Sequence, residues 1–194
     1  YIGNDPKSTT DEADYNLGIG VTALDAITEG DGNIAIGHDA LTANTTGASN
    51  IAIGQGALDA ADTESNNIAI GLNAIGSANL QYTGSHYSTS ASGNVGIGSN
   101  TLDAITTASE NVAIGTDALT DATEAYLNVA IGTSSLANLT NGDMNVGIGY
   151  GTLESITTQS HNLAMGIYSL DASSSGDYNL GIGNYTLSSQ TSAS

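Results

Sequence analysis

Apolar and polar residues alternate over only a few positions at a time in this chain, and then the pattern restarts. Ile34 and Ile36 flank Ala35, Ile51 and Ile53 flank Ala52, and Val112 and Ile114 flank Ala113. Each triplet has Asn before it and Gly after it, as in NIAIGHDAL at 33–41, NIAIGQGAL at 50–58 and NVAIGTDAL at 111–119. The Asn recurs at 16, 33, 50, 67, 94, 111, 128, 145, 162 and 179, a period of 17 broken once by ten extra residues. We number each repeat from 1 at this Asn to 17. Position 1 is always Asn and position 5 always Gly. Position 2 is Ile, Val or Leu, position 3 is Ala or Gly, position 4 is Ile or once Met165, and position 9 is Leu or once Ile75. Self-similarity at a fixed period is the signature of stacked repeats.

Alternation at 2 and 4 about a small residue is strand spacing. Asn and Gly, both turn formers, bracket it. Helical arrays use longer repeats and avoid such frequent helix stops. The pattern therefore predicts an all-β fold, a parallel β-solenoid (β-roll or β-helix) of about ten 17-residue coils. Each coil is expected to hold a strand at 2–4, a bend at 5–7, a second short strand near 8–10 and a looser return through 11–17. Equivalent residues then stack at ~4.8 Å, and ten coils make a rod of roughly 50 Å. Asn33, Asn50, Asn111 and their equivalents should form an amide ladder. Gly37, Gly54, Gly115 and theirs should turn the chain where a Cβ would obstruct it. The Ile and Leu columns at 2, 4 and 9 are expected to fill the interior, helped at position 12 by Ile27, Ala61, Ile105, Leu139 and Ile156.

The domain organisation follows the period. Residues 1–15 read as a degenerate partial coil and 16–194 as the array, with the ten-residue insertion within 77–93. Ile2 and Gly3 lie one full period before Ile19 and Gly20, so the chain opens in mid-repeat. That, with Tyr1 at the start, is expected of a piece of a longer array or a processed chain.

Charge narrows the partners. One Lys plus Arg stands against 20 Asp plus Glu, a net charge of −19. Such a chain is not built for nucleic acid, whose phosphates need cations, nor for anionic membrane surfaces. No apolar run approaches the ~18 residues of a membrane span, so no membrane insertion is expected. The chain has no Cys, which excludes disulfides. The small residues at position 3 are expected on the outer face of the strand, opposite 2 and 4. A solvated face would carry Thr, Lys or Glu instead, so something is expected to approach closely there, either another face of the same coil or another chain. Three large apolar side chains per coil are also few for the entropy of ordering a whole repeat. Both points favour self-association, as a homotrimer or a filament.

The motif N-[ILV]-[AG]-I-G-x-x-[AST]-L resembles the head repeats of trimeric autotransporter adhesins. It is similar also to repeats of bacteriophage tail fibres and large bacterial surface proteins. The best-matching pieces are 33–50 and 111–123, and the resemblance runs from Asn16 to Leu187. It implies a β-roll or solenoid, usually an interwoven homotrimer, exposed outside a cell or virion. The implied role is adhesion or the shaft of a fibre. Adhesin heads use a shorter period than this chain does, which moves the match towards phage-type and surface-fibre arrays.

Several residues are candidates for contact chemistry. The insertion carries Tyr82, His86 and Tyr87 among Ser, Thr and Gly. Solenoid insertions form loops on one face, and this composition suits a cell-surface glycan or receptor. Tyr150, Tyr168 and Tyr185 occupy positions 6, 7 and 7, and stacking would make them an aromatic strip. Tyr126 and Tyr178 add to positions 16 and 17. Carboxylates align at position 10 (Asp25, Asp59, Asp103, Glu154, Asp171) and at position 16 (Asp31, Asp143, Asp177). Such columns suit Ca²⁺, which takes six to eight oxygen ligands, although no calcium-loop signature is present. The Thr rank at position 13 resembles an ice-binding face, but its second Thr is adjacent and points the other way. His38, His86 and His161 have no ligand spacing, and no nucleophile-base arrangement can be drawn, so no enzyme is expected. The reading is an extracellular fibrous protein, a stiff rod presenting a contact loop. The alternatives are a purely structural filament subunit and an ice-binding solenoid.

Overall fold

The computed structural model of the chain describes residues 2–3, 13–76, 91–171 and 176–188. Among the described residues, eleven short strands form one parallel sheet in sequence order. They are β1 (Ile2–Gly3), β2 (Leu17–Gly20), β3 (Ile34–Ile36), β4 (Ile51–Ile53), β5 (Ile68–Ile70), β6 (Val95–Ile97), β7 (Val112–Ile114), β8 (Val129–Ile131), β9 (Val146–Ile148), β10 (Leu163–Met165) and β11 (Leu180–Ile182). Each strand pairs with the equivalent residues of the next coil, Ile34 with Ile51 and Val112 with Val129. The register survives the insertion, with Ile68 paired to Val95 on its far side. The fold is a β-solenoid with one strand per coil at positions 2–4, as the alternation predicts.

The Asn ladder forms. Asn111 Nδ2 donates to Asn94 Oδ1 at 3.1 Å and to the Ala125 carbonyl, at position 15, at 2.8 Å. Asn111 Oδ1 in turn accepts from the Asn128 backbone N–H at 2.9 Å and its Nδ2 at 3.1 Å. Asn33, Asn50 and Asn111 are fully buried, so each amide ties two coils and closes its own coil at once. The Gly column has the expected cause. Gly37, Gly54 and Gly115 sit at φ 145, 140 and 130. A Cβ on Gly115 would lie 2.6 Å from the carbonyl carbon of Gly132.

Among the described residues the expected second strand at 8–10 is absent; that stretch is turn. Positions 7 and 9 are left-handed throughout the array, as at Asp117 (φ 55) and Leu119 (φ 51). Two such residues, with a single residue between them, coil the chain too tightly for a strand. The backbone still bonds to the next coil, with Leu119 N donating to Ser135 O at 3.1 Å and Asp121 N to Ala137 O at 3.0 Å. A left-handed Leu costs on the order of 1 kcal/mol. Leu119 tolerates it because that geometry aims its side chain into the coil, where it is fully buried.

The larger correction concerns the strand faces. Position 3 points inward: Ala35, Ala52, Ala69, Ala113 and Ala130 have no exposed surface. Positions 2 and 4 point outward and are half-buried in β3 to β9. The buried Asn at position 1 sets this phase, because alternate residues share a face. Position 3 then meets position 8 across a narrow interior. A Cβ on Gly147 would lie 2.6 Å from Ser135 Oγ and 3.0 Å from Thr152 Oγ1. Where position 8 is Thr101, Thr152 or Thr186, position 3 of the same coil is Gly. The Ala/Gly column is thus the inner wall of a thin coil, not a site of approach by another chain. The core is Leu or once Ile75 at 9, Ala, Thr or Ser at 8, Ala or Gly at 3, and Ile, Leu or Ala at 12, with Asn44 in one coil.

Candidate contact surface

The inverted strand leaves an apolar surface outside. Columns 2 and 4 carry Ile, Val, Leu or Met in every coil, so two parallel ranks run the length of the sheet. At the C-terminal end these side chains are well exposed: Leu163 37%, Met165 43%, Leu180 61% and Ile182 63%. Contiguous apolar patches above a few hundred Å² mark interaction sites on soluble proteins. The face also widens along the rod. After Tyr15, its position-17 rim runs Gly32, Ser49, Asn66, Gly93 and Glu110, and then Leu127, Met144, His161 and Tyr178. Leu127, Met144 and Tyr178 are exposed. The His161 and Tyr178 rings stack at 4.7 Å, nearly parallel at 6°.

The aromatic strip forms as the column count predicts. Tyr150 and Tyr168 meet edge to face at 5.1 Å, and Tyr168 and Tyr185 stack at 5.8 Å. Gly151 makes room for it: a Cβ there would lie 2.5 Å from Tyr168 Cε1. A hydrogen bond with Tyr150, a little desolvation and the nearby Glu154 push the Tyr168 phenol up to about 12. The proposed contact residues Tyr82, His86 and Tyr87 lie outside the described residues.

The polar columns take structural work. The position-16 carboxylates cap backbone: Asp143 Oδ1 accepts from Tyr126 N at 2.9 Å and Asp177 Oδ1 from Ser160 N at 2.8 Å. The position-13 hydroxyls donate along the rod, Thr106 Oγ1 to Thr123 O at 2.8 Å and Thr140 Oγ1 to Thr157 O at 2.9 Å. At position 10, burial pushes the Asp59 carboxyl above the usual range, with Asp39 and Asp103 adding repulsion. Burial raises Asp103 as well. His38 Nδ1 contacts its neighbour Asp39 Oδ2 at 2.6 Å, and Thr22 Oγ1 donates to Asp39 Oδ1. Among the described residues no group of three or more His, Asp or Glu is arranged to hold a metal ion. No helix there is long and apolar enough to cross a membrane.

These features define a parallel β-solenoid with an apolar outer sheet, ladder-bonded through Asn. No protein-family model matches the chain, and neither does any curated protein or solved structure.

Proposed function

We propose that the chain is a rod segment of an extracellular fibre whose subunits associate through the outer Ile/Val face. The observation that carries this is the double apolar rank at positions 2 and 4, which the stacked coils leave only half-buried. Self-association is thus moved from the Ala/Gly column to the opposite face of the same strand. Covering this face removes apolar surface in proportion to rod length, at about 25 cal/mol per Å². Anionic side chains on the remaining surface keep assembled rods from sticking sideways. The same reading makes the insertion within 77–93 a contact loop for a glycan or receptor, and it involves no catalysis.

The deciding measurement is mass in solution by light scattering. Wild type should be a trimer or larger assembly. Ile114→Thr with Ile131→Thr, both outward and β-branched, should shift it towards monomer while retaining the β-sheet circular dichroism. A monomeric wild type at high protein concentration would overturn the association. Attachment is tested separately. Deleting 78–87 restores the common period; assembly should survive and binding to cells or glycan arrays should be lost. Unchanged binding would make the rod purely structural, the second reading.

A further inference from the structure

Columns 12 and 15 exchange volume along the rod. Leu139 at 12 faces Gly142 at 15, where a Cβ would lie 2.6 Å from Leu139 Cδ1. Ile27 and Gly30 repeat this at 2.8 Å. One coil reverses the order: position 12 is Ala61 and position 15 is Glu64, whose side chain is fully buried. The preceding coil carries Asn44 at position 12, also fully buried. The two residues meet at Gly47, where a Cβ would lie 2.4 Å from Asn44 Oδ1 and 2.2 Å from the Glu64 carbonyl oxygen.

Each side chain has one satisfied end and one orphan. Glu64 Oε2 accepts the Thr63 backbone N–H at 2.9 Å, and Asn44 Nδ2 donates to Gly47 O at 2.9 Å. Glu64 Oε1 and Asn44 Oδ1 are buried acceptors with no hydrogen-bond partner. Two acceptors cannot satisfy one another without a hydrogen. A hard cation would need six or more oxygens. The neighbouring carbonyls are already committed: Gly47 O accepts from Asn33 and Asn44, and Glu64 O accepts from Asn50. A proton on the Glu64 carboxyl supplies the missing hydrogen.

We propose that Glu64 is a proton-binding site that locks the second and third coils together: as the neutral acid, its Oε1–H donates to Asn44 Oδ1. Ionisation leaves a buried charge facing a carbonyl dipole and opens the lock. Burial, the largest influence, raises the carboxyl, and Asp62 adds to it; the backbone N–H groups of Glu64, Thr63 and Asp62 pull it down by less. The other titratable groups of these coils, His38, Asp39 and Asp59, sit at positions 6, 7 and 10, away from the 12–15 segment. The described part of the next coil, 67–76 and 91–93, carries none. The folded state therefore holds this proton to higher pH than the unfolded chain. The lock is complete below the ordinary glutamate range and is lost as pH rises through the raised folded value.

The test is a carbon-13 titration of the Glu carboxyls in the full chain. Glu64 should protonate well above Glu29, Glu110, Glu124 and Glu154. In Glu64→Gln the amide supplies the hydrogen at every pH. Its melting temperature should match wild type in acid and exceed it by about 3 °C near neutrality. Amide exchange across 44–64 should speed up with pH beyond the intrinsic trend in wild type and not in the variant. A Glu64 midpoint level with those of the other five glutamates, Glu12 included, would overturn the proposal. That titration needs only wild type, so the result stands even if the variant fails to fold.

Discussion

Ala113 and Ile114 are neighbours in β7, yet they live under opposite rules. Ala113 faces the narrow interior and is fully buried. Ile114 faces outward, half-buried against its own sheet and covered by nothing in its own coil. The inside of the rod is small because so short a coil encloses little volume, and the outside is large because the sheet offers Ile and Val to something else. Size therefore reports space here, not burial. The inner column is set by what a single coil permits, and the outer columns by what the assembly needs. Substitutions that cross this divide should separate the two.

The strongest break is at the turn that feeds the inner wall. Gly115→Val places a branched Cβ within 2.6 Å of the Gly132 carbonyl carbon at φ 130. No side chain can move away from a backbone clash, so the coils must part. The expected loss is about 5 kcal/mol or more, among the largest for single substitutions. Urea denaturation should show the midpoint collapsing, or a segment around 98–132 melting separately. An unchanged midpoint would mean the coils do not stack as tightly as the Gly column requires.

Next comes the ladder. Asn111→Ala orphans the Ala125 carbonyl and the Asn128 backbone N–H, while Asn128 Nδ2 keeps the Gly142 carbonyl. Leaving buried groups unpaired costs ~1–3 kcal/mol each, so a loss of about 3 kcal/mol is expected in the same denaturation. The outer face should respond much less within one chain. Ile114→Thr removes partly exposed apolar surface and should cost about 1 kcal/mol or less in the subunit. Its main effect should be on mass in solution. Equal losses at Asn111 and Ile114 would erase the distinction between the faces.

Much of this is legible in the letters, and the misreading of the strand faces has a specific cause. Alternation shows that positions 2 and 4 share a side, but not which side is inner. Size suggests Ile inward and Ala outward, the usual rule for a thick core. Two signals point the other way. The Asn ladder requires burial at position 1, which carries position 3 inward with it. Gly96, Gly147 and Gly181 also occur where position 8 is Thr101, Thr152 or Thr186, the mark of two columns in contact. The left-handed Leu column gives no such signal, because Leu has no preference for that geometry and stacking imposes it. The Tyr150, Tyr168 and Tyr185 strip is readable by counting alone. Glu64 is visible as a lone carboxylate at position 15, but nothing in its column of Gly, Ala and Gln announces burial.

The smallest effect sharpens the comparison most finely, because it tests a group on the boundary between wall and surface. Asp59 is half-buried, and one of its oxygens, Oδ1, is enclosed with no hydrogen-bond partner. Desolvation raises its carboxyl, and Asp39 and Asp103 add repulsion. The folded state thus binds its proton more tightly than the unfolded chain does, and this contribution is present below the ordinary aspartate range and lost as pH rises through the folded value. Asp59→Asn removes the charge and should stabilise the rod near neutrality. Because the group keeps contact with water, screening limits the gain to less than about 1 kcal/mol. Added salt should shrink that part of the gain due to Asp39 and Asp103, since repulsion across solvent is screened. The part due to desolvation should persist. A gain that vanishes in salt would assign Asp59 to the surface. A gain insensitive to salt would assign it to the wall, alongside Asn44 and Glu64.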